Sequence, residues 1–528
     1  MLRCRPHGFH SGLYALWVMV ATVASLAAAL ADEPPSDTSV LVNDGQSWPT
    51  LHGDLLRSGY YPRVPQRPWK LAWRIELFSE LIGARCEPIV AEGLVFVGTY
   101  QGHLLALDQR DGTRRWAVNT AGPIWHSPMW SAGTLVFGSL DGYVYAVSAQ
   151  DGSLRWKYRS RTGWAASPIV HAERVLIGDR AGVFHCLDLR TGNLLWTIAT
   201  AGRILTTASL TPDGRRVLFG SEDMRVRCAE VRTGKLVWTS DHLHGLSLRD
   251  YSPTMAGHLA LVTTNPVDGF HDVLDRHQNL LLTRIGRKVG DEDYRFVPGG
   301  PAEVAAEQDA IVAYLQQHPE EQTFYALDLE TGRQPWIAPI LYTAGLHNPP
   351  TPPCVDRQTG AVYVLTRSAY TVWDGGGEVR PLTGVGQLNL DTGRVTLLEH
   401  SYRPADGSRP GGSVDAPFAS FNTIGDETQA LSCGPGWLFS NHQGFLGSLE
   451  LGTGRCESLF GRRDTYAGYY GPGIFGWEDQ GGIEKARAAG QPYGLVNEWH
   501  GPARGIAAVV GNQVFYIAGS QVLCFVGD

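Results

Sequence analysis

Ala106-Leu-Asp-Gln-Arg-Asp-Gly-Thr-Arg-Arg-Trp116 decides the fold, because the phrase returns. It recurs as Ala146–Trp156, Cys186–Trp196 and Cys228–Trp238, and again as Ala326-Leu-Asp-Leu-Glu-Thr-Gly-Arg-Gln-Pro-Trp336. From Trp116 to Trp238 the closing tryptophans are 40, 40 and 42 residues apart. Self-similarity at this period means a repeat architecture, and a strand–turn–strand unit of this length is a propeller blade. The units also open alike, with Glu87-Pro-Ile-Val, Ser127-Pro-Met-Trp, Ser167-Pro-Ile-Val and Ser252-Pro-Thr-Met. An apolar strand ending near Gly, a polar turn, an alternating strand and an Asp-Gly or Thr-Gly turn then lead to the Trp strand. That pattern predicts four strands per unit, joined by glycine-bearing hairpins. The expected fold is all-β, an eight-bladed propeller of four-stranded antiparallel blades.

Four blades end at Trp116, Trp156, Trp196 and Trp238, and a fifth runs from Ser252 to Trp336 with an insertion. The sixth reaches Asp391-Thr-Gly-Arg-Val-Thr-Leu397 without a Trp, and the seventh spans Trp437 to Leu459. The eighth has strands at 506–510, 514–518 and 522–526, and then the chain stops one strand short. Leu71-Ala-Trp-Arg-Ile-Glu-Leu77 is a Trp strand with no blade before it, so it is the expected donor of that strand. Such a closure removes exposed sheet edges. A count of seven would need two of the weaker units merged. Trp73, Trp116, Trp156, Trp196, Trp238 and Trp336 are then structural, packing between blades.

Upstream, Arg3 and Arg5 precede an apolar run from Leu13 to Leu30 and a small-residue Ala29-Leu-Ala31 site. This is the pattern of a signal peptide over residues 1–31, with a membrane anchor as the other reading. Residues 32–70 then form a lead-in, and 71–528 form the propeller. The expected location is the periplasm or the exterior, with no transmembrane anchor. Formal charge is −8, and removing Arg3 and Arg5 leaves 42 basic against 52 acidic residues, or −10. A net acidic surface without a basic run argues against nucleic acid and anionic lipid as partners.

Eight cysteines fall to seven once Cys4 is removed, an odd number. Ten residues before each closing Trp stands Ala106, Ala146, Cys186, Cys228 or Ala326, and Cys524 falls in the same column. A column that accepts only Ala or Cys is a tight core site, where Cys serves as a small hydrophobe. Cys86, Cys354, Cys433 and Cys456 stay unassigned, with a Cys433–Cys456 bridge as one pairing.

The repeated Ala-x-Asp-x-x-Thr-Gly-x-x-x-Trp resembles the tryptophan-docking repeat of the pyrroloquinoline-quinone (PQQ) propeller family. That family includes quinoprotein alcohol dehydrogenases and the assembly lipoprotein BamB. Trp48-Pro-Thr-Leu-His-Gly-Asp54 and Ser58-Gly-Tyr-Tyr-Pro62 also look like the lead-in of exported PQQ-like repeat proteins. The resemblance implies an eight-bladed fold, while activity stays open, since one scaffold serves enzymes and binders. Two marks of many family enzymes are missing from the sequence, a Cys-Cys pair and Cys-x-x-Cys-His. No lipid-attachment Cys follows the apolar run either.

A propeller gathers the residues just before its inner strands at one mouth of the channel. Here these are Arg85, Trp125, His126, Trp164, Arg203, Arg249, Asp250, Tyr251, His347 and Asn348. Asp415, Asn422, Trp499, His500 and Arg504 occupy equivalent places later in the chain. Aromatics beside Arg, His, Asp and Asn suit a polar ligand with flat or carbohydrate-like faces. The bland reading is that the rings fill the channel and the Arg–Asp pairs tie neighbouring blades. Two insertions, at about 265–322 and 461–504, are expected on the same face, the first carrying a helix over 302–317. Asp291-Glu-Asp293 lacks an EF-hand pattern and reads as a solvated acidic turn, so no metal site is expected. Metalloprotease, nucleophile-elbow and P-loop signatures are absent. The expected function is an exported, non-catalytic propeller holding a protein, peptide or glycan partner, with no cofactor. The alternatives are a quinoprotein oxidoreductase for alcohols or sugars using PQQ and calcium, and a hydrolase or lyase with His126, His347 or His500 as base.

Overall fold

The structure, a computed structural model, describes residues 43–66, 69–77, 79–82, 86–249, 252–267, 287–288, 294–295, 301–340, 351–368, 382–398, 429–442, 445–460, 505–518 and 521–527. Within them the strands form eight antiparallel blades, each running outward in chain order. Blade one is Ile89–Ala91, Leu94–Gly98, His103–Asp108 and Arg114–Asn119. Blades two to four repeat that order and close on Leu154–Arg159, Leu194–Ala199 and Leu236–Thr239. Blade six opens on Cys354–Val355 and closes on Val395–Leu397; blade seven opens on Gln429–Gly434 and closes on Cys456–Phe460. Blade eight is Ala508–Val510, Gln513–Ala518 and Gln521–Val526, completed by Lys70–Glu76 from the other end of the chain.

One unit departs from the four-strand pattern. Blade five pairs only Thr254–Ala256, Leu259–Thr263 and Phe324–Asp328 among the described residues. Its closing phrase carries Pro335 directly before Trp336. Proline brings no N–H to a ladder, so this edge runs alongside without pairing. The Trp336 indole still donates to Leu390 O at 2.8 Å.

The repeated residues have visible physical work. Ala106, Ala146, Cys186, Cys228 and Cys524 pair across the ladder with Trp116, Trp156, Trp196, Trp238 and Trp73, and all five are fully buried. Opposite an indole there is room only for a methyl or a thiol. Each Trp then reaches the next blade. Trp73, Trp156, Trp196 and Trp238 donate to the carbonyls of Gln109, Leu189, Val231 and Leu329 at 2.7–3.1 Å. The glycine of the following turn lies against the ring. At Gly152, where φ is +72°, a Cβ would fall 2.8 Å from the Trp116 ring. Glycine is therefore required twice over, by backbone and by space.

The opening serine also joins blades. Ser127 Oγ accepts from Glu87 N at 2.7 Å and lies 3.1 Å from Glu87 O, one blade back. In the first insertion, helix α1 (Pro301–Gln317) packs on blade six. Gln308 donates to Val395 O at 2.7 Å and accepts from Val395 N at 3.1 Å. Its primary amide thus imitates the next residue of a ladder and covers that outer edge. The described helix lies on the rim of blade six, whereas the sequence had suggested the channel mouth. Residues 461–504 lie outside the described residues, as do residues 1–42 and Asp291-Glu-Asp293.

The register corrects one cysteine pairing. Cys433 is on the inner strand of blade seven, Cys456 is on its outer strand, and two strands run between them. Three strand spacings, roughly 14 Å, exceed what a disulfide spans. Cys433 is a free thiol.

Candidate functional site: a plugged channel and its mouth

The lead-in is not an appendage. In six of the inner strands one N–H meets the lead-in, and residues 48–59 supply the acceptors. Val90, Trp130, Leu210, Met255, Val355 and Cys433 donate to the carbonyls of Trp48, Pro49, Leu55, Leu56, Ser58 and Gly59, all at 2.8–3.0 Å. The equivalent amide of blade three, Val170, meets Met129 Sδ instead. Gly511, in a turn of blade eight, donates to Gly45 O. Buried amides must be paired, so one short segment completes the inner surface of most of the ring. It runs along the axis from the turns after the inner strands, at Gly45, to the level where those strands begin, at His52–Arg57.

At that end the segment is strained and charged. His52 and Arg57 hold left-handed backbone, with φ of 58° and 59°. Non-glycine residues adopt this conformation only when the surroundings impose it, and it concentrates at functional or structural pivots. Gly53 lies flat on Trp48, where a Cβ would come within 2.6 Å of the ring. Arg57 is fully buried and solvated by protein. Its Nε and Nη2 donate to Ala208 O, and Nη1 donates to Thr50 Oγ1, Leu51 O and Asp54 O. Burial lowers its pKa to about 10, so it remains cationic at neutral pH. Asp54 accepts from the amides of Leu56 and Ser58 and from Ser58 Oγ, which fixes the turn. Burial raises its pKa against those bonds.

Glu87 joins this segment to both ends of the ring. Its Oε2 accepts from His52 N at 2.7 Å and its Oε1 from Ile506 N, in blade eight, at 3.0 Å. His52 Nε2 lies 3.4 Å from Glu87 Oε1. Burial pushes the Glu87 carboxyl up to about 7, against the two amides and the Arg57 charge. Burial, and then Arg57, push His52 down to about 3. At neutral pH the imidazole is uncharged and the carboxyl sits near its midpoint.

Of the residues expected at the mouth, five lie within the described residues. Trp125 stands 6.0 Å from Tyr100, ring to ring, and His126 beside it is buried. Arg203 pairs with Glu222 at 3.8 Å, and Glu222 accepts from Leu248 N, so this pair ties adjoining loops. Arg249 is exposed. Trp164 is buried between blades, its indole donating to Gly142 O and meeting His185 edge-on at 5.0 Å. Arg85, Asp250, Tyr251, His347, Asn348, Asp415, Asn422, Trp499, His500 and Arg504 lie outside the described residues. The loops between the second and third strands carry polar pairs that the sequence reading missed. His185 Nε2 meets Asp179 at 3.1 Å, and Arg227 pairs with Asp223 at 2.5 Å. The signal for Glu87 was present, as the acidic member among the Ser-Pro openings.

Among the described residues no three His, Cys, Asp or Glu side chains converge to hold a metal ion. No two described cysteines are adjacent in sequence.

The family model described as outer membrane protein assembly factor BamB matches residues 69–163 and 140–269. Among solved structures, the quinohemoprotein alcohol dehydrogenase of Comamonas testosteroni is similar with a TM-score of 0.54 and 13% identity, covering 96% of this chain and 84% of that one. The quinohemoprotein alcohol dehydrogenase ADHIIG of Pseudomonas putida HK5 gives 0.51 and 14%, over 92% and 81%. BamB of Moraxella catarrhalis gives 0.41 and 17%, over 68% and 82%. No curated protein sequence matches the chain significantly. The family model thus covers 69–269, and the two dehydrogenase structures share with this chain the eight-bladed propeller fold.

Proposed function

We propose that this chain is an exported, non-catalytic propeller that holds a protein partner on the mouth face of its channel. The observation that carries the reading is the plug. Residues 48–59 cap six inner-strand amides along the axis, and side chains of the lead-in fill the interior. A channel whose axis is filled in this way favours a partner that binds across the mouth over a small molecule engulfed within it. The matched family's description as an assembly factor supports a protein partner over a peptide or glycan. Export is supported by the Arg3–Ala31 pattern. In the described residues, no helix is long and apolar enough to cross a membrane, which says nothing of a β-barrel.

The test uses Trp125→Ala combined with Arg249→Ala. Capture of the native partner by the tagged full chain should fall at least tenfold, while the unfolding midpoint moves little. A lost fold in the double variant, or unchanged capture, would refute the assignment. Incubating the wild type with PQQ and Ca²⁺, desalting, and assaying dye reduction with alcohols or sugars tests the quinoprotein reading; retained quinone with turnover would replace the binding proposal.

A further inference from the structure

We propose that Cys354 and Cys433 form a disulfide that staples the inner strand of blade six to that of blade seven. The two residues sit where the lead-in passes between those strands. Ser58 O and Gly59 O, consecutive carbonyls, accept from Val355 N and Cys433 N at 2.8 and 3.0 Å. Those two strands pack against each other, and the Cys354 thiol lies close enough to act on the titration of Cys433. They share one buried cluster with Tyr60, Tyr363, Leu431 and Leu438. Both side chains are free thiols here.

No other described cysteines offer a comparable pair. Cys186, Cys228 and Cys524 each face a Trp within separate blades. Cys86 lies against its own neighbour, Glu87 O. Cys354 and Cys433 are the described cysteines that share one buried cluster on adjoining inner strands. The inference rests on the proposed export: in an oxidising compartment, two neighbouring buried thiols are the ordinary precursor of a structural bridge.

The chemistry is thiol–disulfide exchange with a small or protein disulfide as oxidant. A thiolate of one cysteine attacks the oxidant, forming a mixed disulfide and releasing one thiol. The second cysteine then displaces the other half. Two S–H bonds break, one S–S bond forms, and the oxidant leaves as two thiols carrying both protons and both electrons. Burial raises the Cys433 thiol well above its ordinary range. The exchange is therefore slow in the closed ring and belongs to assembly, before Tyr60 and the lead-in seat over the pair.

The full chain is unfolded, refolded in a mixture of reduced and oxidised glutathione, alkylated under denaturing conditions and digested. The expected result is a reductant-sensitive peptide pair joining Cys354 to Cys433, with Cys186, Cys228 and Cys524 alkylated. Full alkylation of both residues, or a pairing of either with another cysteine, overturns the proposal. A second readout needs no digestion. Reductant should lower the urea midpoint of oxidised wild type and leave Cys354→Ser and Cys433→Ser unmoved. Equal midpoints for wild type with and without reductant would count against the staple even if a minor linked peptide were found.

Discussion

Removing His52 should expose a pH dependence that the intact protein conceals. Glu87 is fully buried, with its carboxyl raised from 4.5 to about 7 by that burial. The folded state then holds a proton that the unfolded chain has released, so stability falls as pH rises from 4.5 to 7. At 1.36 kcal/mol per unit, about 2.5 units amount to ~3 kcal/mol. His52 acts in the opposite sense. Burial and then Arg57 lower it from 6.5 to about 3, so the unfolded chain takes up a proton that the folded state refuses. Its contribution is present above 6.5 and is lost as pH falls toward 3. Between 4.5 and 6.5 the two slopes cancel. In His52→Asn, which keeps a residue tolerant of left-handed backbone, only the Glu87 slope remains. Urea unfolding of His52→Asn and of His52→Asn/Glu87→Gln, from pH 4.5 to 8, isolates it. The stability of the first relative to the second should drop by ~3 kcal/mol between pH 4.5 and 7 and then level off. A flat difference, or one rising with pH, would refute the account of Glu87 as a buried carboxyl near its midpoint.

Three further outcomes follow from the packing. Arg57→Met should destabilise by ~3 kcal/mol or more, because Ala208 O and Leu51 O lose their donors in a buried site; chemical denaturation measures it. Gly152→Ala puts a Cβ 2.8 Å from the Trp116 ring at φ +72°, and should cost about 1–3 kcal/mol in the same assay. Gln308→Leu removes both bonds to Val395 and should cost about 1–2 kcal/mol, with faster amide exchange at Val395 as the local signature.

The blades were legible because each is a local repeat, in which hairpin glycines, alternation and the Trp phrase fall within forty residues. The Ala/Cys column could be read as a small site, and the register then explained it as the partner of an indole. The plug was not legible. Trp48–Asp54 and Ser58–Pro62 stood out as a phrase, but their work depends on amides from strands hundreds of residues apart converging on one axis. His52 and Arg57 gave no local sign of left-handed backbone, since neither is a glycine or an asparagine. Glu87 could be seen only as the acidic residue in a serine column. Sequence position placed Trp164 among the mouth residues, yet its indole turns inward to Gly142. The rim helix was read correctly as a helix; that a glutamine amide would fix it to blade six required the fold.

In-cell photo-crosslinking from a reactive amino acid placed at Arg203, compared with the same group at Arg114 on the outer strand of blade one, tests the central claim most directly. The account predicts a discrete protein adduct from the mouth position and none from the outer strand. Adducts from Arg114 alone, or none from Arg203 in cells where the chain is folded and exported, would contradict it.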